Sequence, residues 1–225
     1  MLILQGEGVA NLPNRGINME KNWVIKATGD EDLINSIERE LGIDKPLAQL
    51  LVQRGITTFD EAKSYFRPDL ANLHDPFLMK DMDVAVQRIL EAIESGEKVL
   101  VYGDYDVDGT TAVALVYSFF KDHFKEIDYY IPDRYAEGYG VSSKGIDFAA
   151  QQGVTLIIAL DCGIKAVEKV DYARKKGIDF IICDHHNPGE SVPDAIAVLD
   201  PKQEDCNYPY KELSGCGVGL KLVQA

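Results

Sequence analysis

Lys98-Val99-Leu100-Val101-Tyr102-Gly103-Asp104-Tyr105-Asp106-Val107-Asp108-Gly109-Thr110-Thr111 is the stretch on which the fold turns. Its first five residues form a short apolar run bounded by Gly103, which reads as a buried strand. Three aspartates follow at alternate positions. From Ala112 to Phe124 the chain is then apolar nearly all round, which predicts a deeply packed helix. Outward from this core the alternation continues. Ile127–Ile131 reads as a strand, 132–140 as a loop, and Ser142 or Ser143 as the cap of a helix ending near Gly153. Strands are expected at 154–160, 178–183 and 195–199, with helices at 166–176 and from Val218 onward. This alternation predicts an α/β fold, a mostly parallel sheet with helices on both faces. Ligands of such sheets bind beyond the carboxyl ends of the strands, and the polar clusters sit at those ends.

Upstream the texture differs. Residues 1–21 are Gly- and Asn-rich without periodicity and read as a loose leader, within which Met19 is an alternative start to Met1. Asp30 or Asp32 caps a helix carrying Leu33, Ile34, Ile37 and Leu41 and stopped by Gly42. Pro46 opens a second helix, with Leu47, Leu50 and Leu51, that ends at Gly55. Thr57 or Thr58 caps a third, with Phe59, Ala62 and Phe66, before Pro68. A longer amphipathic helix follows, with Val84, Ile89, Ala92 and Ile93 on one face and Gly96 as its stop. The expected organisation is a leader at 1–21, a small helical N-terminal region at 22–96, and an α/β catalytic domain at 97–225.

Composition excludes several classes. Hydrophobic residues make up 46% and charged residues 27%, the balance of a folded globular chain rather than a disordered one. No apolar run is long enough to span a membrane. Met1-Leu2-Ile3-Leu4 lacks the basic flank of a secretory signal. Cys162, Cys183, Cys206 and Cys216 contain no C-x-x-C pair, which fits reduced thiols in a cytoplasmic protein. With 23 basic and 37 acidic residues the net charge is −14. That is the wrong sign for a protein that coats nucleic acid by counterion release. It is compatible with an enzyme that reaches phosphate through metal ions, because clustered carboxylates are what such ions require.

The acids are clustered. In extended backbone Asp104 and Asp106 point the same way, as a hard-cation site requires. D-x-D-x-D-G also opens an EF-hand loop, but the twelfth position is Leu115 where a bidentate Glu is needed, and a strand precedes it where an EF-hand has a helix. A purely structural acidic turn is the remaining alternative. Asp161 ends the strand Ile157–Leu160, where a lone Asp is as often a helix cap. Asp184-His185-His186 ends another strand, and two adjacent imidazoles are poor core residues because each needs a partner. Three strand ends thus deliver Asp104, Asp106, Asp161 and His185 to one edge. Mixed imidazole and carboxylate ligation suits manganese, with magnesium as the alternative where carboxylates dominate.

These segments resemble the DHH phosphoesterase superfamily and, within it, the family of exonucleases specific for single-stranded DNA. The resemblance rests on Gly103–Thr110, Pro132-Asp133-Arg134-Tyr135-Ala136-Glu137-Gly138-Tyr139-Gly140, Leu160-Asp161-Cys162-Gly163, Asp184-His185-His186, Tyr208-Pro209-Tyr210 and Leu213-Ser214-Gly215-Cys216-Gly217-Val218. It implies two manganese ions held by Asp104, Asp106, Asp161 and His185, with Asp161 bridging. His186 would face the substrate phosphate, Asp108 would support a ligand by hydrogen bonding, and Asp184 would orient the loop. Relatives supply a further ligand Asp and a cleft-closing domain beyond the segment matched here, so the catalytic domain is expected to be incomplete at its C-terminus.

For Arg134 and Tyr139, residue types alone are evenly divided between a phosphate fork with a stacking ring and a loop arginine paired with Asp133 or Glu137; the resemblance favours substrate contact. Ser214 and Gly215 either present bare amides to an anion or form a tight turn that packs a helix. The activity implied is 5′-to-3′ hydrolysis of single-stranded DNA to mononucleotides in recombination and repair, with a helicase or single-strand-binding protein as the kind of partner and no membrane. A phosphatase acting on pyrophosphate, oligonucleotides or cyclic dinucleotides, and a non-catalytic DNA-binding relative, are the alternatives.

Overall fold

The computed structural model describes residues 24–225, so the leader expected at 1–21 lies outside the described residues. The chain divides into two compact units at Leu73/His74.

In the first unit, α1 (Glu31–Leu41), α2 (Lys45–Val52) and α3 (Phe59–Phe66) pack a small core of Ile34, Ile37, Ala48 and Leu51. The termini are made as the residue types dictate. The Asp30 carboxylate accepts the amides of Asp32 and Leu33, and Gly42 takes the left-handed conformation that ends α1. Thr58 and Glu61 form a reciprocal capping box at α3.

The second unit contains α4 (Met82–Ser95), β1 (Lys98–Gly103), α5 (Val107–Phe120), β2 (Glu126–Tyr130), α6 (Ser143–Gln151), β3 (Leu156–Leu160), α7 (Val167–Arg174), β4 (Asp179–Cys183), β5 (Ala197–Leu199) and α8 (Gly215–Gln224). The five strands form one sheet in the order β2-β1-β3-β4-β5, every pair parallel. Alternate residues of each central strand face opposite sides. Val99, Val101, Ile158, Leu160 and Ile181 join the core under α4, α5 and α8. Leu100, Tyr102, Ile157, Phe180 and Ile182 join the one under α6 and α7.

Four expectations need correction. The helix at 82–95, grouped with the N-terminal helices, packs on the sheet: Met82, Ala85, Ile89 and Ala92 belong to the same core as Val99. Within it Val84 is 42% exposed, because the buried stripe runs through the residues beside it. The helix read as Ala112–Phe124 starts at Val107, since Asp106 caps it through the Gly109 amide, and it is one-sided, with Val107 and Phe119 exposed. Finally, α8 begins at Gly215 rather than Val218, because Ser214 caps it through the Gly217 amide and the glycines form its first turn.

Candidate metal centre

The crevice of a sheet ordered 2-1-3-4-5 opens between β1 and β3, where chain connections leave in opposite directions. At this edge the register sets a row. Gly103 pairs with Leu160, Leu160 with Cys183 and Cys183 with Leu199. The next residue on each strand is an aspartate: Asp104, Asp161, Asp184 and Asp200. All four are at most 1% exposed. Neighbouring parallel strands lie about 4.8 Å apart, so four aspartates leave the sheet at one level, although their carboxylates diverge: that of Asp161 lies against Gly215 of α8 and that of Asp184 against the Ile164 amide.

They are not equivalent. Asp184 is consumed by hydrogen bonds: its Oδ2 accepts the Ile164 amide at 2.9 Å, and its Oδ1 accepts the His185 amide at 2.7 Å and pairs with His186 Nδ1 at 2.7 Å. Among the described residues, both oxygens of Asp104, Oδ1 of Asp161 and Oδ2 of Asp200 are buried and accept no hydrogen bond, the His185 ring being the nearest cationic group to Asp161 Oδ1. Orphaned buried carboxylate oxygens are costly unless a proton or a cation satisfies them. Burial, followed by the charges of Asp108 and Asp106, pushes Asp161 up to about 7. Burial raises Asp104 as well and pushes Asp200 up to about 6.

His185 Nε2 lies 3.1 Å from Asp161 Oδ1 and 3.7 Å from Asp108 Oδ2. His186 offers a nitrogen within 4.8 Å of ligand atoms on Asp161 and His185. Both of its nitrogens are engaged, however: Nδ1 with Asp184, and Nε2 with Tyr139 Oη at 3.1 Å. Burial works against its charge, yet the Asp184 carboxylate holds it above its ordinary value. Asp106 is exposed and spends one oxygen on the Gly109 amide, the capping role that any strand-end Asp can play. Asp161 has φ +59°, a left-handed conformation that Asp tolerates better than most residues and that is stored at functional turns.

The loop of 132–140 is built around Glu137. Its carboxylate accepts from Tyr130 Oη at 2.9 Å, from the Asp133 amide at 3.0 Å and from Ser142 Oγ, and these bonds hold it below the usual carboxylate range despite the opposing effect of burial. Tyr102 Oη donates to Gly140 O at 3.0 Å and accepts the Ser142 amide, tying the loop to β1. Arg134 pairs with neither Asp133 nor Glu137. Its guanidinium lies 5.4 Å from the centre of the Tyr105 ring, which meets Tyr139 edge-on.

The amides expected to receive an anion near Ser214 already hold one. The Gly215 and Cys216 amides donate to the Asp108 carboxylate at 2.7 and 2.8 Å. Gly215 is required there, since a Cβ would stand 2.3 Å from Asp161 Oδ1. The structure thus brings Asp161, His185 and Asp108 together and stations His186 and Tyr139 beside them. Sequence reasoning passed over Asp200, although a signal was present: Val198-Leu199-Asp200 repeats the apolar-strand-then-Asp pattern of the other three strands.

Residues 98–225 match the DHH family, N-terminal domain. The single-stranded-DNA-specific exonuclease RecJ of Bacillus subtilis (strain 168) is 42% identical over 203 residues, 90% of this chain and 26% of that protein. RecJ of Escherichia coli (strain K12) is 38% identical over 148 residues, 65% of this chain and 26% of its own length. Among solved structures, exonuclease RecJ bound to manganese aligns with a TM-score of 0.59 at 28% identity, over 64% of this chain and 37% of that one. RecJ from Thermus thermophilus in complex with Mn2+ shares the fold, with a TM-score of 0.65 at 23% identity over 85% of this chain and 26% of that one. The chain spans about a quarter of the length of these two curated relatives. Among the described residues no helix is long and apolar enough to cross a membrane.

Proposed function

The chain belongs to the DHH family, and on that premise we propose that it carries the metal centre of an exonuclease that degrades single-stranded DNA from its 5′ end to mononucleotides, in recombination and repair. The observation that carries this reading is the set of buried carboxylate oxygens left without partners at Asp104 and Asp161. They fit divalent cations in donor type, charge and burial. Asp104, Asp106, Asp161 and His185 would hold two manganese ions, with magnesium as the substitute. Bound there, the ions would supply Lewis acidity toward phosphoryl oxygen and lower the pKa of water.

The remaining residues position and neutralise. Asp108, anchored by two amides of α8, stands 3.7 Å from His185, beyond hydrogen-bonding distance, and orients it by charge. His186, oriented by Asp184, whose carboxylate favours the protonated ring against the opposing effect of burial, would face the phosphate. Arg134, with no carboxylate partner among the described residues, offers a guanidinium fork to the strand, and Tyr139 offers a face for a base. Gly215 acts through Asp108 and Asp161, and Ser214 by capping α8, rather than on phosphate directly.

The test is digestion of 5′-labelled single strands with manganese, with duplex DNA, pyrophosphate and cyclic dinucleotides alongside. Mononucleotides released from single strands only, and abolished by a chelator, are the expected result. Turnover of pyrophosphate or cyclic dinucleotides instead would reassign the substrate.

A further inference from the structure

Arg134 lies in a loop whose acids are already spent. The Asp133 carboxylate accepts the amides of Tyr135 and Ala136, at 2.9 and 2.8 Å. Glu137 is taken up by Tyr130, by the Asp133 amide and by Ser142. A long, exposed side chain held in one place loses rotamer freedom, so a contact must offset that cost. Tyr135, next to Arg134 in the chain, is 95% exposed. The ring that the guanidinium meets belongs instead to Tyr105, in the acidic loop after β1.

Tyr105 stands between Asp104 and Asp106, and both neighbours are fixed. Asp104 is buried beyond the end of β1, and Asp106 caps α5 through the Gly109 amide. The ring thus starts from a well-anchored backbone. It is half-buried, carries the Arg134 guanidinium 5.4 Å from its centre, and meets the Tyr139 ring edge-on at 6.1 Å. Tyr139 Oη in turn lies 3.1 Å from His186 Nε2. One side chain therefore touches Arg134 directly and reaches His186 through Tyr139.

We propose that Tyr105 is a positioning residue: its ring holds Arg134 by a cation–π contact and backs Tyr139, so that both phosphate-facing groups keep a fixed place relative to the carboxylates on either side of it. The inference rests on the reading of Arg134 and His186 as groups that face a strand phosphate, and it adds the part that sets their distance from the metal edge. A cation over a tyrosine face at a partly exposed site changes an equilibrium about two- to fivefold.

Affinity for a fluorescent oligothymidylate, at low salt and in chelator so that the strand is not consumed, tests this. The variants are Tyr105→Phe, Tyr105→Leu, Arg134→Gln, and the last two together. The contacts use the ring, so Tyr105→Phe should bind as wild type does. Tyr105→Leu should weaken binding about two- to fivefold. Added to Arg134→Gln it should weaken binding no further, since a ring that acts through the arginine then has nothing to hold. Manganese affinity, measured by calorimetry, should be the same in Tyr105→Leu as in wild type. Unchanged strand affinity in the Leu variant, additive losses in the double variant, or a Phe variant as weak as Leu would each overturn the assignment. So would a Leu variant that binds less manganese, which would make the ring a prop for the metal loop. Digestion of single strands with manganese separates this inference from the reading it rests on. A non-additive cycle without hydrolysis keeps Tyr105 and sinks the nuclease. Hydrolysis with additive losses keeps the nuclease and sinks Tyr105.

Discussion

Asp161 combines three properties in one residue: a left-handed backbone, an orphaned oxygen and a carboxyl raised to about 7. The informative substitution is therefore Asp161→Asn, which keeps the side chain's size and tolerates the positive φ, whereas Asp161→Ala adds backbone strain. In the absence of metal, Asp161→Asn should melt several degrees above wild type, since it removes a buried charge repelled by Asp108 and Asp106. With manganese the order should reverse, because wild type gains stability from binding and the variant does not. A variant that keeps the manganese-induced shift would remove Asp161 from the ligand set. His186 makes the opposite prediction. Both ring nitrogens are occupied, so His186→Ala should retain its metal by elemental analysis while hydrolysis falls at least about tenfold, the scale of one lost hydrogen bond to a charged group. Loss of an ion would make it a ligand.

Among the elements, the decisive joint is between α5 and α8. Asp108 lies in the first turn of α5, and its carboxylate receives the first amides of α8, so one charge caps a second helix from across the site. Asp108→Ala should cost about 2 kcal/mol, for two charge-assisted bonds lost and two amides left unpaired, seen as a fall of several degrees in Tm. At the opposite, amino end of the sheet Arg88 bonds Glu97 and Asp179, and Glu97 also accepts from Thr155. Arg88→Met should destabilise to a similar extent by stranding two carboxylates, but leave manganese affinity unchanged. An altered metal affinity would show that the two ends communicate. The joint of α5 and α8 also marks where sequence reading stopped. Apolar runs and their bounding glycines made the strands, their parallel arrangement and the cluster of acids at their ends legible, because burial on both faces leaves a direct trace in residue type, whereas the strand order was not read. The start of α8 was not legible. Ser214-Gly215-Cys216-Gly217 has poor helix propensity, and it is helical because Asp108, far off in the chain, accepts its first amides. Asp200 was missed for a related reason: a single Asp after a three-residue strand carries little weight until the register places it beside Asp184.

Across the sheet, charge differs between its ends: at the amino end Arg88 meets both Glu97 and Asp179, whereas at the carboxyl end Asp104 and Asp200 have no cationic side chain within 4 Å among the described residues. The pH dependence follows from the carboxyl end. Asp161 and Asp200 are raised to about 7 and about 6, so the folded metal-free chain keeps protons that the unfolded chain has released above about pH 4. Stability from these groups is present at low pH and is lost as pH rises towards 7. The lowered carboxyls, Glu97 and Glu137 among them, act the other way, but below the ordinary carboxylate range, whereas His186, raised by Asp184, adds a loss of the same sign above its ordinary value, common to wild type and variant. Melting in chelator should show wild type losing more between pH 5 and 8 than a variant with Asn at 161 and 200. Parallel losses would refute the assignment. The aligned strand ends have one more consequence, for how the chain finds its fold. β3 is Leu-Ile-Ile-Ala-Leu, buried along its whole length, so a slip of one residue exchanges its two faces without exposing anything polar within the strand. Grease cannot tell the right alignment from the wrong one. Such a slip would move Asp161 by about 3.3 Å along the sheet and turn it to the far side, breaking the row of aspartates. If the proposed centre holds its ions, a divalent ion present during refolding would act as a gauge, rewarding only the alignment in which Asp161 stands beside Asp104.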